Sequence, residues 1–192
     1  GKRVRTDILT ELALSLDVPY IHLGTDEAKI TDRLFVPEMV EYVHSLGKKV
    51  VAWNPGWSFK SKEVDLLHLW SSQGQSIYGT PSIDSRYHYL NHYDLFADIQ
   101  MLYSSRVLGV SASNPRVMGA ILAVWNDRYV DTPQKIMQET AVYPNMLALA
   151  ERAWMGGGAG SFDAPTAALS SVASPETRRE FIDFERRLLW HK

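Results

Sequence analysis

Apolar residues recur along the chain at two spacings, and the two spacings alternate. Short apolar runs such as residues 18–23 and 49–53 predict strands, while residues 36–46 place apolar side chains three and four apart and predict a helix. Gly47 follows directly and is a typical helix stop. The same patterns predict further strands at residues 66–70, 87–90 and 118–125, and further helices at residues 6–16, 95–103, 133–141, 144–154 and 175–190.

Strand and helix patterns that alternate are typical of a parallel sheet with helices packed outside it. The apolar run at residues 118–125 fits a strand buried on both faces. A (β/α)₈ barrel and an open doubly wound sheet both have this order, but barrel enzymes assemble their sites at the carboxyl ends of the strands. Candidate site residues do fall at those ends, which favours the barrel: Asp26, Glu27, Trp53, Trp70, Tyr89 and Trp125.

Composition narrows the possible functions. Twenty basic residues stand against 22 acidic ones in 192 residues, a formal net charge of −2, so no basic surface for nucleic acid is expected. The chain has no cysteine, which excludes disulfides and thiolate metal sites. No apolar run approaches the length of a membrane span. The histidines besides His22 show no metal-ligand spacing, and no metal site is predicted.

The adjacent carboxylates Asp26 and Glu27 give the sharpest local signal. They follow a short apolar strand and Gly24. Neighbouring carboxylates repel each other, so one of them tends to keep its proton, and a general acid needs such a proton. The plainer alternative for any Asp-Glu pair is a solvated loop.

The context of this pair resembles a known family. The segment HLGTDEA at residues 22–28 resembles the H-x-G-G-D-E signature of glycoside hydrolase family 20, with Thr25 in place of the second glycine. The strands ending at Trp53 and Trp70 resemble the next two strands of that family. Three later segments follow in the family's order: YLN for Y-L-D, GAILAVWND for the strand ending W-x-E, and YPNMLALAERAW for W-P-R-x-x-A-x-A-E-x-x-W. The resemblance covers about residues 6–155.

The resemblance implies a retaining β-N-acetylhexosaminidase that needs no cofactor and uses substrate-assisted catalysis. The 2-acetamido oxygen of the substrate would attack the anomeric carbon and form an oxazolinium ion. Glu27 would protonate the leaving oxygen and later activate water. Asp26 would hold the acetamido N–H, and Tyr89 would donate a hydrogen bond to the acetamido oxygen.

The resemblance also implies the residues that bind the sugar. Trp53, Trp70 and Trp125 would line the pocket, since indole faces pack on the apolar face of a pyranose. Asp127 stands where the family has a glutamate that binds sugar hydroxyls, and Asn91 stands where it has an aspartate.

These two departures leave the sugar open, including release of a disaccharide as in lacto-N-biosidases. His22 matches the signature histidine and is assigned to the binding residues.

By the same resemblance, residues 1–158 form the C-terminal portion of a (β/α)₈ catalytic barrel, and residues 159–192 form a loop and a C-terminal helix. The portion corresponds to strands four to eight, whereas a full barrel takes about 250 residues. The missing N-terminal part of the barrel or a second copy of the chain is therefore an expected partner. Many relatives are exported, so a secreted, periplasmic or cell-surface location is favoured over the cytoplasm.

Two alternatives to an enzyme stand beside this hypothesis. The chain would be a carbohydrate-binding relative that has lost catalysis, or an unrelated α/β domain used for assembly. The trio Asp26, Glu27 and Tyr89 argues against a pure binder, since binding alone needs no acid. In each enzymatic or binding case the expected partner is a glycan with terminal N-acetylhexosamine.

Overall fold

The structure is a computed structural model, and it divides the chain into two compact units, Gly1–Tyr87 and His88–Lys192. It describes residues 2–86, 88–90, 99–111, 113–125, 131–135, 142–155 and 175–190.

The first unit is a parallel α/β layer. Its helices are α1 (Lys2–Ser15) and α2 (Phe35–Ser45). Its strands are β1 (Tyr20–His22), β2 (Lys49–Asn54), β3 (Leu66–Leu69) and β4 (Ser82–Asp84). The strands pair in chain order, β1 with β2, β2 with β3 and β3 with β4, and every pair is parallel. The α/β fold class predicted from the alternating pattern is therefore confirmed.

The core of the first unit lies between the sheet and α2. Val50 and Ala52 of β2 and Leu67 and Leu69 of β3 are fully buried, as expected for strands covered on both faces. Helix α2 turns Val36, Met39, Val40 and Val43 inward. The predicted stop is confirmed, because Gly47 adopts a φ of 74° and donates its N–H to the carbonyl of His44 at 2.9 Å.

The imidazole of His68 is buried on this sheet. His68 of β3 is 5% exposed and contacts the hydroxyl of Ser85 at 2.9 Å through its Nε2. Burial, reinforced by His22 and opposed by Asp84, lowers the pKa of His68 from 6.5 to about 4. The sheet therefore holds this imidazole neutral at pH 7.

The described part of the second unit is mostly helical. It contains α3 (Ile99–Ser104), a 3₁₀ turn (Val107–Gly109), β5 (Val117–Ala120), α4 (Val142–Trp154) and α5 (Pro175–Leu189). Its core gathers Leu90, Leu102, Tyr103, Ala148, Phe181 and Phe184.

Helix α5 is attached to this core by rings and by an ion pair. The ring of Tyr103 lies 5.3 Å from that of Phe181 and 4.8 Å from that of Phe184. Arg187 pairs with both carboxylate oxygens of Glu151 at 2.6 Å, the two-pronged geometry that guanidinium groups favour. Tyr103 donates its hydroxyl to Glu151 at 3.3 Å, so the ion pair and the ring cluster are linked.

Two predicted strands need correction. The fourth strand predicted at residues 87–90 is wrong: the fourth strand is β4, and Tyr89 makes only an isolated parallel bridge to Ala123. The sequence of β4, Ser-Ile-Asp, hides it because two of its three residues are polar yet buried.

The run at residues 118–125 is also not a strand buried on both faces. The strand β5 ends at Ala120, and Met118, Ile121 and Val124 are exposed. No described part of the second unit covers their side chains.

Some predictions fall outside the described residues. The loop expected from residue 156 to 171 and most of the helix at residues 133–141 are among them. The boundary expected at residue 158 also lies there, and closure of a barrel stays a prediction. In the part of the chain that the structure describes, no helix is long and apolar enough to cross a membrane.

Helix α5 offers a test of the second core. Phe184 is 3% exposed, so Phe184→Ala should lower the free energy of unfolding by about 3–5 kcal/mol. Ile182 on the same helix is 45% exposed, and Ile182→Ala should cost less than about 1 kcal/mol. Urea denaturation of both variants measures the difference. Equal losses would show that α5 does not pack through Phe184.

The buried imidazole predicts a pH dependence of stability. Between pH 6.5 and about pH 4 the unfolded chain binds a proton at residue 68 that the folded chain does not. The free energy of unfolding should therefore fall as the pH is lowered through this window, by roughly 3 kcal/mol from His68.

The variant His68→Phe removes this group and should flatten the fall, measured by urea denaturation at several pH values. A smaller slope should remain, because the pKa of His22 is lowered as well. An unchanged slope in the variant would contradict the assignment.

Candidate active site

The two carboxylates lie on a strained turn that follows β1. Within it, Gly24, Thr25 and Glu27 adopt φ values of 76°, 84° and 45°. Such angles suit glycine but cost about 1–3 kcal/mol for other residues, and they concentrate at functional sites. Other contacts must therefore hold the backbone of the turn in these unfavourable angles. The turn places Asp26 and Glu27 at the carboxyl end of the sheet.

The end of β2 supplies the restraint. Trp53 donates its N–H to the carbonyl of Gly24, and Trp57 donates its N–H to that of Thr25, both at 2.9 Å. Gly56 passes so close that a Cβ there would lie 2.7 Å from the carbonyl oxygen of Trp53 and 2.8 Å from that of Thr25. Only glycine allows the two loops to approach this closely.

The two carboxylates differ in their surroundings. Asp26 is partly buried, and a Cβ built on Gly24 would lie 3.9 Å from both its Oδ1 atom and the Cδ1 atom of Trp53. The carboxylate and the indole therefore flank the same glycine. Glu27 is exposed to solvent, where it can exchange a proton with water.

Four aromatic side chains from three neighbouring strands form one ring cluster: His22, Trp53, His68 and Trp70. The ring of Trp53 lies 4.6 Å from His22, 4.0 Å from His68 and 6.5 Å from Trp70. Trp70 is fixed in turn, because its indole N–H donates to the carbonyl of Pro55 at 2.7 Å. The cluster gives the carboxyl end of the sheet an aromatic wall of set orientation.

His22 links this wall to the acidic turn. Its Nδ1 accepts the backbone N–H of Gly24 at 3.0 Å. Burial lowers the pKa of His22, and the charge of Asp26 opposes that shift. The neutral imidazole must then carry its proton on Nε2, since Nδ1 is an acceptor.

Two further candidates meet in the second unit. Tyr89 pairs with Ala123 in a parallel bridge, framed by hydrogen bonds of 3.0 Å and 2.9 Å. The rings of Tyr89 and Trp125 are nearly parallel, at 11°, with centroids 6.5 Å apart. Trp125 is 50% exposed, so its indole offers a free edge or face to a ligand.

A cleft of about 580 Å³ opens beside the acidic turn. It lies among α1, α2 and the segment after Glu27, and His22 and Thr25 contribute to its lining. Of the four rings of the aromatic wall, only His22 lines it.

The predicted site residues thus form two groups. The first unit brings together Asp26, His22, Trp53 and Trp70, with Glu27 beside Asp26 on the turn. The second unit brings together Tyr89 and Trp125, while Asn91 and Asp127 lie outside the described residues. The described residues contain no group of histidines and acidic side chains that could hold a metal ion.

Sequence reasoning missed His68 and Ser85. The available signal was the position of His68 two residues before Trp70, which places both on the same side of a strand.

Comparison with known proteins gives a structural likeness alone. No protein-family model matches the chain. No curated protein matches it by sequence.

Several solved structures resemble the chain in fold. One is the family 20 exo-β-N-acetylglucosaminidase of Vibrio harveyi in complex with N-acetylglucosamine, with a TM-score of 0.59 and 18% identity over 79% of this chain and 30% of that one. A second is the Streptomyces plicatus N-acetyl-β-hexosaminidase in complex with Thio-NAglucal, with a TM-score of 0.59 and 21% identity over 80% of this chain and 36% of that one. A third is the chitobiase of Flavobacterium johnsoniae, with a TM-score of 0.59 and 17% identity over 99% of this chain and 32% of that one.

The chain spans about a third of the length of these enzymes. At such identities the likeness is one of fold. The chain therefore shares the α/β fold of glycoside hydrolase family 20 β-N-acetylhexosaminidases, and the resemblance predicted from its motifs is confirmed.

Proposed function

We propose that this chain carries the catalytic carboxylates of a retaining glycoside hydrolase that removes terminal β-linked N-acetylhexosamine. One observation carries the proposal: Asp26 and Glu27 lie on a strained turn, and the Asp26 carboxylate flanks the same glycine as the indole of Trp53. A carboxylate beside an aromatic wall suits a ligand with one polar group next to an apolar one. The 2-acetamido group, with its N–H and its methyl, is such a ligand.

The reaction assigned to this site uses the substrate as its own nucleophile. The acetamido oxygen attacks the anomeric carbon, the bond to the leaving oxygen breaks, and Glu27 gives that oxygen a proton. Water then adds to the oxazolinium ion while Glu27 takes a proton back, so the anomeric configuration is retained. The exposed position of Glu27 is compatible with both proton transfers.

Asp26 is assigned the stabilising role. As the acetamido oxygen attacks, positive charge grows on the acetamido nitrogen, and a fixed carboxylate beside the N–H stabilises that charge. Preorganised groups of this kind contribute about 3–4 kcal/mol each to lowering a barrier. The partial burial of Asp26 strengthens the interaction, since a drier site screens charge less.

The remaining residues are assigned to binding. Trp53 and Trp70 form the wall around the acetamido methyl, and His22 offers its Nε2–H at the base of the turn. Trp125 contributes a further sugar-facing indole. Tyr89, stacked on Trp125, is assigned the hydrogen bond to the acetamido oxygen.

The assignments of Tyr89, Trp125, Asn91 and Asp127 to this site rest on the motif resemblance alone. Asp127 is proposed to bind sugar hydroxyls, and Asn91 is proposed to lie beside them. The eight-stranded barrel that would complete the pocket is proposed on the same ground.

The assignment of Glu27 can be tested by hydrolysis of an aryl N-acetyl-β-D-glucosaminide. Glu27→Gln should lower kcat by about 10²–10⁴-fold, because the amide cannot donate the proton that the leaving oxygen needs. Glu41→Gln, an exposed change on α2, is the matched control and should leave kcat unchanged. Release of nitrophenol measures both.

Equal activity of the two variants would contradict the role of Glu27. Binding of N-acetylglucosamine without hydrolysis by a protein that contains all eight strands would instead favour the carbohydrate-binding alternative.

A further inference from the structure

The buried pair of His68, a ring of the aromatic wall, and Ser85 has no part in the reaction just described. His68 is 5% exposed and Ser85 is 1% exposed, so neither side chain offers much surface to a sugar. A buried imidazole and a buried hydroxyl each need a partner, and an apolar ring would fill the same volume without that need. Packing alone therefore does not explain why these two polar side chains are buried here.

The strand register places His68 against the wall. Trp53 of β2 and His68 of β3 are partners in the parallel ladder, so their side chains leave the sheet on the same side. Their ring centroids are 4.0 Å apart with the planes tilted by 33°. The imidazole therefore supports the indole of Trp53, and His22 meets the edge of His68 at 5.6 Å.

The hydrogen bonds of Ser85 set the orientation of that imidazole. The Ser85 hydroxyl donates its single proton to the carbonyl of Leu69 at 3.1 Å. Its oxygen must then accept from His68, so the contact of 2.9 Å is an Nε2–H donor bond. The chain of bonds runs from a backbone carbonyl of β3 through Ser85 to the ring, and it fixes both the tautomer and the plane of His68.

The position of Ser85 is itself restrained. Its backbone N–H donates to Leu69 at 2.9 Å, and the preceding residue, Asp84, is fully buried. The Asp84 carboxylate accepts two bonds from the guanidinium of Arg86, at 2.9 Å and 3.0 Å, and one from its backbone N–H at 3.2 Å. These bonds hold Ser85 in place after β4, so its hydroxyl can orient the imidazole of His68.

We propose that His68 and Ser85 are positioning residues, which together set the plane of the Trp53 indole against the N-acetyl group of the bound sugar. The inference rests on the proposed function. It adds that the fit of the acetamido pocket depends on one buried hydrogen bond, the one between His68 and Ser85. If the pair served packing alone, only the volume of its side chains would matter.

The chain offers a matched test of this claim. Ser85→Ala removes the hydroxyl that fixes His68. Ser82→Ala makes the same chemical change on β4, where the buried hydroxyl of Ser82 has no hydrogen-bond partner among the described residues. The two variants lose the same volume, and only one of them loses the bond to the ring.

The readouts are kcat and KM for an aryl N-acetyl-β-D-glucosaminide, the Kd of N-acetylglucosamine, and tryptophan emission. Ser85→Ala should raise both KM and Kd by about tenfold, shift the emission, and change kcat less than KM. His68→Phe keeps a ring under Trp53 but cannot donate to Ser85, so it should raise KM and Kd in the same direction. Ser82→Ala should match the wild-type chain in all of these.

Values for Ser85→Ala that match those for Ser82→Ala would overturn the inference and leave the proposed function standing. If Ser85→Ala does not fold, as judged by circular dichroism, His68→Phe decides by the same criterion. A complete barrel that contains the wild-type chain and neither binds N-acetylglucosamine nor hydrolyses the glycoside would overturn the proposed function, and this inference with it.

Discussion

The parallel register of β1, β2 and β3 is the constraint on which the site of the first unit depends. Parallel strands end at the same edge, and partners in the ladder project their side chains to the same side. Trp53 and His68 are such partners, His22 is the last residue of the neighbouring strand β1, and Trp70 directly follows β3. Four rings from three segments of the chain therefore form one wall, and a slip of one residue would turn a ring to the other side of the sheet.

The same edge explains how two carboxylates are held on an unfavourable turn. Backbone hydrogen bonds from Trp53 and Trp57 restrain the carbonyls of Gly24 and Thr25, and Gly56 lets the two loops touch. The packing of the sheet against α2 offsets the free-energy cost of the strained turn. Structure and chemistry are thus linked: the strands position the wall, the wall's backbone positions the turn, and the turn presents Asp26 beside the wall.

Much of this arrangement could be predicted from the residues, and the exceptions have physical reasons. The strand at β2 and the helix stopped by Gly47 were predictable because local pattern and tertiary structure agree there. Strand β4 was not, because Ser82 and Asp84 are polar residues that the fold buries. His68 was overlooked for a related reason, since its role depends on a strand register and on Ser85, which no periodicity shows. The pairing of Tyr89 with Trp125 needed the bridge to Ala123, a contact between residues distant in sequence.

The measurement that tests the central claim most directly is the dependence of kcat on the nucleophilicity of the substrate's acetamido oxygen. The substrates are aryl N-acetyl-β-D-glucosaminides in which none, one, two or all three hydrogens of the acetyl methyl are replaced by fluorine. These substrates differ little in size. If the acetamido oxygen attacks the anomeric carbon while Asp26 holds its N–H, kcat should fall steeply with each added fluorine. A kcat that is independent of fluorine would show that another group is the nucleophile, and would contradict the role assigned to Asp26.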